Sequence, residues 1–155
     1  MSRAFVKESE DSAGDADLPE RPISPHRNLV TASGLEQIAA QVRRLEEELA
    51  AARAAGDKAL VARCQRDLRY WSQRRASAEL VPPARGDGRV RFGSTVTIEF
   101  DDGSRRVLRI VGEDEADPAA GTVAYVAPVA AQMIGARLGE RVAVGGRDGE
   151  LVEIA

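Results

Sequence analysis

The residues predict an α+β chain: an N-terminal antiparallel α-helical coiled-coil hairpin followed by an antiparallel sheet domain with one short helix. Two apolar seams repeat at spacings of three and four. The first runs through Leu35, Ile38, Val42, Leu45, Leu49 and Ala52, the second through Val61, Cys64, Leu68, Trp71, Arg75 and Ala78. Gly56-Asp57 separates the seams, as a short turn requires. Beyond Pro82-Pro83 the period changes to two. Val96, Ile98 and Phe100 interleave with Thr95, Thr97 and Glu99, the pattern of a half-buried strand.

Taken in chain order, residues 1–28 read as a disordered acidic tail. Glu8, Glu10, Asp11, Asp15, Asp17 and Glu20 stand among Ser, Gly and Pro with few apolar anchors. The single histidine, His26, has no cluster of partners around it in sequence and reads as an exposed loop residue. Residues 29–81 form the hairpin. Ser33 with Glu36 three residues on matches a capping box, and each arm of about 20 residues is roughly 30 Å long. Arg75 interrupts the second seam, where its stem can lie along the first helix. Residues 82–89 read as a linker rich in Gly, Asp and Arg. Residues 90–155 hold the sheet domain. Asp102-Gly103 signals a hairpin turn, with Leu108 and Ile110 sharing one face of the returning strand. Thr122 to Val126 is a third strand. Pro128 opens a short helix that runs to Ile134 and stops at Gly135. A last strand pair spans Glu140–Val144 and Leu151–Ile154. One antiparallel sheet with the helix across one face accommodates these elements.

Composition narrows the function classes. The chain has 155 residues, 30% of them charged and only 4% aromatic, so the core rests on aliphatic side chains. A net charge of -3 gives no general attraction to nucleic acid or anionic lipid. Cys64 is the only cysteine, which leaves no internal disulfide and no cysteine-based zinc cluster. No apolar run approaches the roughly 18–20 residues of a membrane span, and the N-terminus lacks a secretory apolar segment. A cytoplasmic location is expected.

Local signals for chemistry are sparse. The acidic run Glu113, Asp114, Glu115 and Asp117 lacks the alternation and central Gly of a calcium loop, and reads as a solvated loop. No serine has the histidine geometry of a triad, since only His26 is available. Arg63, Arg66, Arg69, Arg74 and Arg75 gather on the second helix. They can meet nucleic acid or an acidic protein surface, or form a solvated face balanced by Glu46, Glu47 and Glu48. From the residues alone the reading is a rigid hairpin plus a small binding domain.

Three segments carry a resemblance: Val90-Arg91-Phe92-Gly93-Ser94-Thr95-Val96; Ile110-Val111-Gly112-Glu113-Asp114-Glu115-Ala116-Asp117; and Ala127-Pro128-Val129-Ala130 leading to Ile134-Gly135. In this order, behind a helical hairpin, they resemble the C-terminal domain of the bacterial Gre transcription factors. Leu29-Val30-Thr31 with Gly34-Leu35-Glu36 resembles the start of that family's first helix. The resemblance implies a coiled-coil hairpin and an FKBP-like C-terminal domain. It implies RNA polymerase as partner, bound at the rim of its secondary channel on the coiled coil of the largest subunit. Contact with nucleic acid would be indirect, within the elongation complex. In the family, tip carboxylates help hold a Mg2+ ion of the polymerase active site and so stimulate cleavage of backtracked RNA.

Mapped onto this chain, the hairpin tip is Gly56, Asp57, Lys58 and Leu60. Asp57 matches the first tip carboxylate, and Leu60 stands where the family has a Glu. Each arm is about two turns shorter than usual, or roughly 10 Å. The resemblance places polymerase binding at Val126, Pro128, Val129, Ala130 and Met133. Ala127 replaces a Ser and Ala131 an Arg, which makes this surface more apolar. The expected function is a secondary-channel regulator that modulates elongation without efficient cleavage, with no catalytic residue, metal or cofactor of its own. One alternative is an active cleavage factor using Asp57. Another is an FKBP-like prolyl isomerase or chaperone, for which only Phe92, Phe100, Tyr125, Tyr70 and Trp71 offer aromatic lining.

Overall fold

The computed structural model describes residues 18–83 and 86–155. Most of the expected acidic tail, residues 1–17, lies outside the described residues, as do positions 84 and 85 of the expected linker. The elements run β1 (Leu29–Val30), α1 (Ala32–Ala55), α2 (Lys58–Ser77), β2 (Glu79–Leu80), β3 (Thr95–Phe100) and β4 (Arg105–Val111). A 3-10 turn (Pro118–Ala120) follows, then β5 (Thr122–Ala124), α3 (Pro128–Met133), β6 (Arg141–Val144) and β7 (Arg147–Ile154). The protein is thus α+β: two long helices in series and a five-stranded sheet. No helix among the described residues is long and apolar enough to cross a membrane.

The first helix forms where the seam predicts. Ile38, Val42, Leu45, Leu49 and Ala52 are buried, while the charged residues between them face water. At its N-terminus the cap differs from the capping-box expectation. Thr31 is the N-cap, and its Oγ1 accepts from the Gly34 amide at 3.0 Å. Ser33 lies inside the first turn, so it cannot cap. At the other end the Gly56 and Asp57 amides reach back to Arg53 and Ala52 carbonyls at 3.2 and 3.1 Å, a Schellman closure. Gly56 sits at φ 68°, a conformation that carries a steric cost for any residue with a Cβ. In α2 the seam is less deeply covered. Cys64 is buried, and the buried residue at the base is Arg74, not an apolar position. The sequence reading placed the interrupting arginine at 75; Arg75 is exposed and Arg74 takes the inward position.

The sheet order is β5-β4-β3-β7-β6. β3 pairs antiparallel with both β4 and β7, and β6 with β7. The expectation of a purely antiparallel sheet is corrected at one edge: β5 runs parallel to β4, with Ile110 opposite Val123. A parallel neighbour cannot be joined by a tight turn. The chain therefore crosses over through residues 112–121, the acidic run included. Val96, Ile98 and Phe100 face inward as the alternation predicts, packing with Leu108, Ile110, Val142, Val144 and Leu151. Ala130 and Met133 of α3 close this core from one face. Val90 ties the entry of the domain to the loop after α3, through Val90 N to Ala136 O and Gly135 N to Val90 O, both 2.8 Å.

Residues 18–28 depart from the tail expectation. They run alongside α2 toward its base. Glu20 pairs with Arg69, and the Arg21 guanidinium lies 3.9 Å from the Tyr70 ring centroid. Asn28 is buried, and its carbonyl accepts from the Glu79 amide at 2.8 Å. β1 and β2 then pair in parallel, bringing the two ends of the hairpin together at its base.

Gly112 lies where this base meets the sheet domain. A Cβ there would stand 2.4 Å from the Leu29 carbonyl oxygen. Backbone on both sides leaves little room to yield. Gly112→Ala is expected to lower stability by about 2 kcal/mol, read as a shift in the urea midpoint at unchanged slope.

Candidate functional site

The residues singled out in the sequence fall in two separate places, the hairpin tip and the α3 region. A third cluster, which the sequence reading missed, lies at the base of the hairpin.

At the tip, Gly56 and Asp57 form the entire link between the helices. Asp57 is the N-cap of α2, with Oδ1 accepting from the Leu60 amide at 3.0 Å. Its carboxylate is exposed and is already used to satisfy a helix terminus. Leu60 supplies no oxygen ligand. Lys58 stands beside Asp57, and with Arg53 it borders a shallow groove at the tip. These residues do not fit a clamp for a divalent cation, which needs several converging oxygen ligands. Among the described residues no group of three or more His, Cys, Asp or Glu is placed to hold a metal ion.

In the α3 region the expected surface is only partly available. Val126 and Val129 are partly exposed and Pro128 is exposed at the first helical turn. Ala130 and Met133 are 0% exposed and belong to the core. Their assignment as partner contacts is corrected: the short helix packs one face on the sheet, and i, i+3 spacing puts both residues on that face. Ile134 and Leu138, beyond the helix, are the exposed large aliphatics of this region. Val129 also borders an apolar depression of about 380 Å³, walled by Leu108, Val123, Ala127 and Val144. No aromatic side chain lines it.

The base cluster centres on Arg74, which is 2% exposed. A buried guanidinium requires both charge compensation and hydrogen bonds. Nε donates to Asp114 Oδ2 at 2.5 Å, and Nη2 donates to Asn28 Oδ1 at 2.8 Å. Asn28 returns a bond from Nδ2 to the Arg74 carbonyl at 2.8 Å. The Tyr70 hydroxyl donates to the other Asp114 oxygen at 2.6 Å. Burial first, and then that bond to a carboxylate, push the Tyr70 hydroxyl up to about 12. Thr31 Oγ1 donates to Glu115 at 2.6 Å while it caps α1. Ser24 Oγ donates to Glu113 Oε1 at 2.9 Å. Glu113 Oε2 is buried without a hydrogen bond and lies 3.7 Å from Arg74 Nη2. His26 stands 3.8 Å from Glu113 on the exposed rim. Glu113, Asp114 and Glu115 of the acidic run are therefore contact residues, while Asp117 stays exposed and caps the 3-10 turn. The available signal was Arg74 beside an apolar seam and three consecutive carboxylates, Glu113, Asp114 and Glu115. Charge alone could not pair them across the intervening chain.

Asp114→Ala leaves a buried cation without its main partner. It is expected to cost about 3 kcal/mol, against about 1 kcal/mol for loss of the exposed cap in Asp57→Ala; chemical denaturation of both variants checks the order. Tyr70 adds a pH signature. Its folded pKa lies above the unfolded value, so the native state holds the proton more tightly. That stabilisation is complete below about pH 10 and is lost as pH rises toward 12. Tyr70→Phe is expected to flatten the fall in melting temperature over this alkaline window.

The family described as transcription elongation factor, GreA/GreB, C-term, matches residues 85–155. Transcription elongation factor GreA of Chloroflexus aggregans is 32% identical over 117 residues, covering 66% of this chain and 73% of that protein. Transcription elongation factor GreB of Yersinia pestis is 35% identical over 86 residues, covering 55% of this chain and 50% of that protein. The chain spans about half the length of that GreB and of several GreA relatives. The crystal structure of GreA factor homolog 1 of Thermus thermophilus aligns with a TM-score of 0.42 at 19% identity, over 84% of this chain and 99% of that one. The match to nearly three quarters of a GreA, together with the C-terminal domain match, places this chain in the GreA/GreB transcription elongation factor family.

Proposed function

We propose that this protein binds RNA polymerase at the secondary channel and modulates elongation without efficient transcript cleavage. In this reading the C-terminal domain docks on the coiled coil of the largest subunit at the channel rim, and the hairpin enters the channel. The finer fold assignment belongs to the same proposal: the heptad seams make the hairpin a coiled coil, and the sheet closed by α3 is FKBP-like. The location that follows is the cytoplasm, and contact with nucleic acid is indirect.

The observation that carries the reading is the tip. Its one carboxylate, Asp57, is engaged as a helix cap, and Leu60 and Lys58 stand beside it. A tip of this kind fills space and does not assemble a cation site with the polymerase Mg2+. Docking is supported by the exposed Pro128 and the partly exposed Val126 and Val129. Apolar residues beside a depression form a surface suited to a protein partner.

An active cleavage factor is the second reading, with the polymerase supplying the carboxylates that the tip lacks. The prolyl isomerase or chaperone reading is weakened by the depression beside α3, which no aromatic side chain lines.

The test is RNA cleavage in a backtracked elongation complex. The protein alone is expected to leave the cleavage rate at its intrinsic value. With an active Gre factor present, it is expected to suppress cleavage in a dose-dependent manner. Stimulation that disappears in Asp57→Ala would instead establish the second reading, and absence of polymerase binding would reject both.

A further inference from the structure

We propose that the Arg74 cluster is a positioning device: it holds the hairpin at one angle to the sheet domain and so sets where the tip stands relative to the docking surface. This inference rests on the polymerase-binding reading above.

The sheet domain's apolar core, from Val90 to Leu151, contains no residue of α1 or α2. Orientation between the two parts must therefore come from contacts outside that core. The polar contacts are directional and come from three separate segments, all onto the crossover loop after β4. Ser24 reaches Glu113, Thr31 reaches Glu115, and Tyr70 and Arg74 both reach Asp114. The Tyr125 hydroxyl adds a bond to the Arg27 carbonyl at 2.5 Å. Hydrogen bonds weaken steeply with angle, whereas apolar contacts tolerate sliding. Close approach removes further freedom. A Cβ on Gly34 would meet Glu115 Oε2 at 2.6 Å, and one on Gly112 would meet the Leu29 carbonyl.

The lever is long. At 1.5 Å per residue the tip stands roughly 36 Å from the start of α1, so a rotation of about 20° at the base displaces it by roughly 12 Å. A displacement of that size would take a hairpin out of a channel. A buried ion pair adds little net stability compared with an apolar substitute, and its best-attested use is to select one register. The Arg74–Asp114 pair has that character: it is costly to break and specific in direction.

The experiment measures the angle and its consequence separately. Spin labels are attached at Ala59→Cys near the tip and Asp148→Cys at the far end of the sheet, in a Cys64→Ser background. The expected parent distribution is a single narrow distance. Arg74→Met and Asp114→Asn are expected to broaden it or add a second distance, with circular dichroism showing both folded. Thr31→Val and Ser24→Ala each remove one hydrogen bond outside the ion pair. They are expected to broaden it less, and they decide the question if the first two variants unfold. In the polymerase assay, affinity should stay close to that of the parent because the docking surface is untouched. The effect of the protein alone on the rate of nucleotide addition should be largely lost, because a docked factor whose hairpin stands outside the channel no longer occupies it. A narrow, unshifted distance in every folded variant would overturn the proposal. A broadened distance with an undiminished effect on nucleotide addition would overturn it too. Failure of the parent to bind polymerase would reject the functional reading, while the distances would still report on the device.

Discussion

Arg74 is a charge that the fold has taken out of water, and much of the structure is arranged around keeping it there. A guanidinium at 2% exposure is tolerable only with an anion and several acceptors in fixed positions. Asp114 supplies the anion, and Asn28 supplies an acceptor while bonding the Arg74 carbonyl in return. Tyr70 occupies the second oxygen of Asp114. These four side chains come from the segment before α1, from α2 and from the sheet domain. Satisfying one cation thus requires three parts of the chain to converge.

That convergence depends on the sheet topology. Because β5 lies parallel to β4, the chain must cross from one to the other rather than turn back. The crossover carries Glu113, Asp114 and Glu115 to the base of the hairpin. Gly112 begins it, where a larger residue would strike the Leu29 backbone. The two-residue β1–β2 pairing closes the base from the other side and brings both ends of the hairpin to the same loop. The apolar core of the sheet domain stands apart from this junction, so cohesion and orientation come from different kinds of interaction.

At the opposite end the same economy limits chemistry. The link between α1 and α2 is two residues long, and each has a structural duty: Gly56 adopts the left-handed conformation that closes α1, and Asp57 caps α2. A tip so short presents one carboxylate, and one of its oxygens is committed to the cap. Near α3, the side of the helix that packs against the sheet is likewise committed, which leaves Pro128 exposed and Val126 and Val129 partly exposed. Family membership comes from the C-terminal domain and the GreA match, whereas the two-residue tip is a feature of this chain's own geometry.

The sequence by itself determined what depends on near neighbours. The period of three and four placed both helices, Gly56-Asp57 placed their turn, and the alternation at Val96, Ile98 and Phe100 set the inward face of β3. Short motifs around Gly93, Gly112 and Pro128 carried the family resemblance. Tertiary structure alone decided what depends on residues far apart. Asp114 meets Arg74 across 40 positions and Tyr70 across 44, and Glu115 meets Thr31 across 84. Read locally, those carboxylates are a solvated acidic loop and Arg74 is one arginine among five on a helix. Pairing among them is set by where a parallel crossover brings the chain, and by which turn of α2 faces inward at the hairpin base. Burial of Ala130 and Met133 was decided in the same way, by the sheet against which a six-residue helix comes to rest. Periodicity marks a face as apolar or charged, but the partner of that face is a property of the packed molecule.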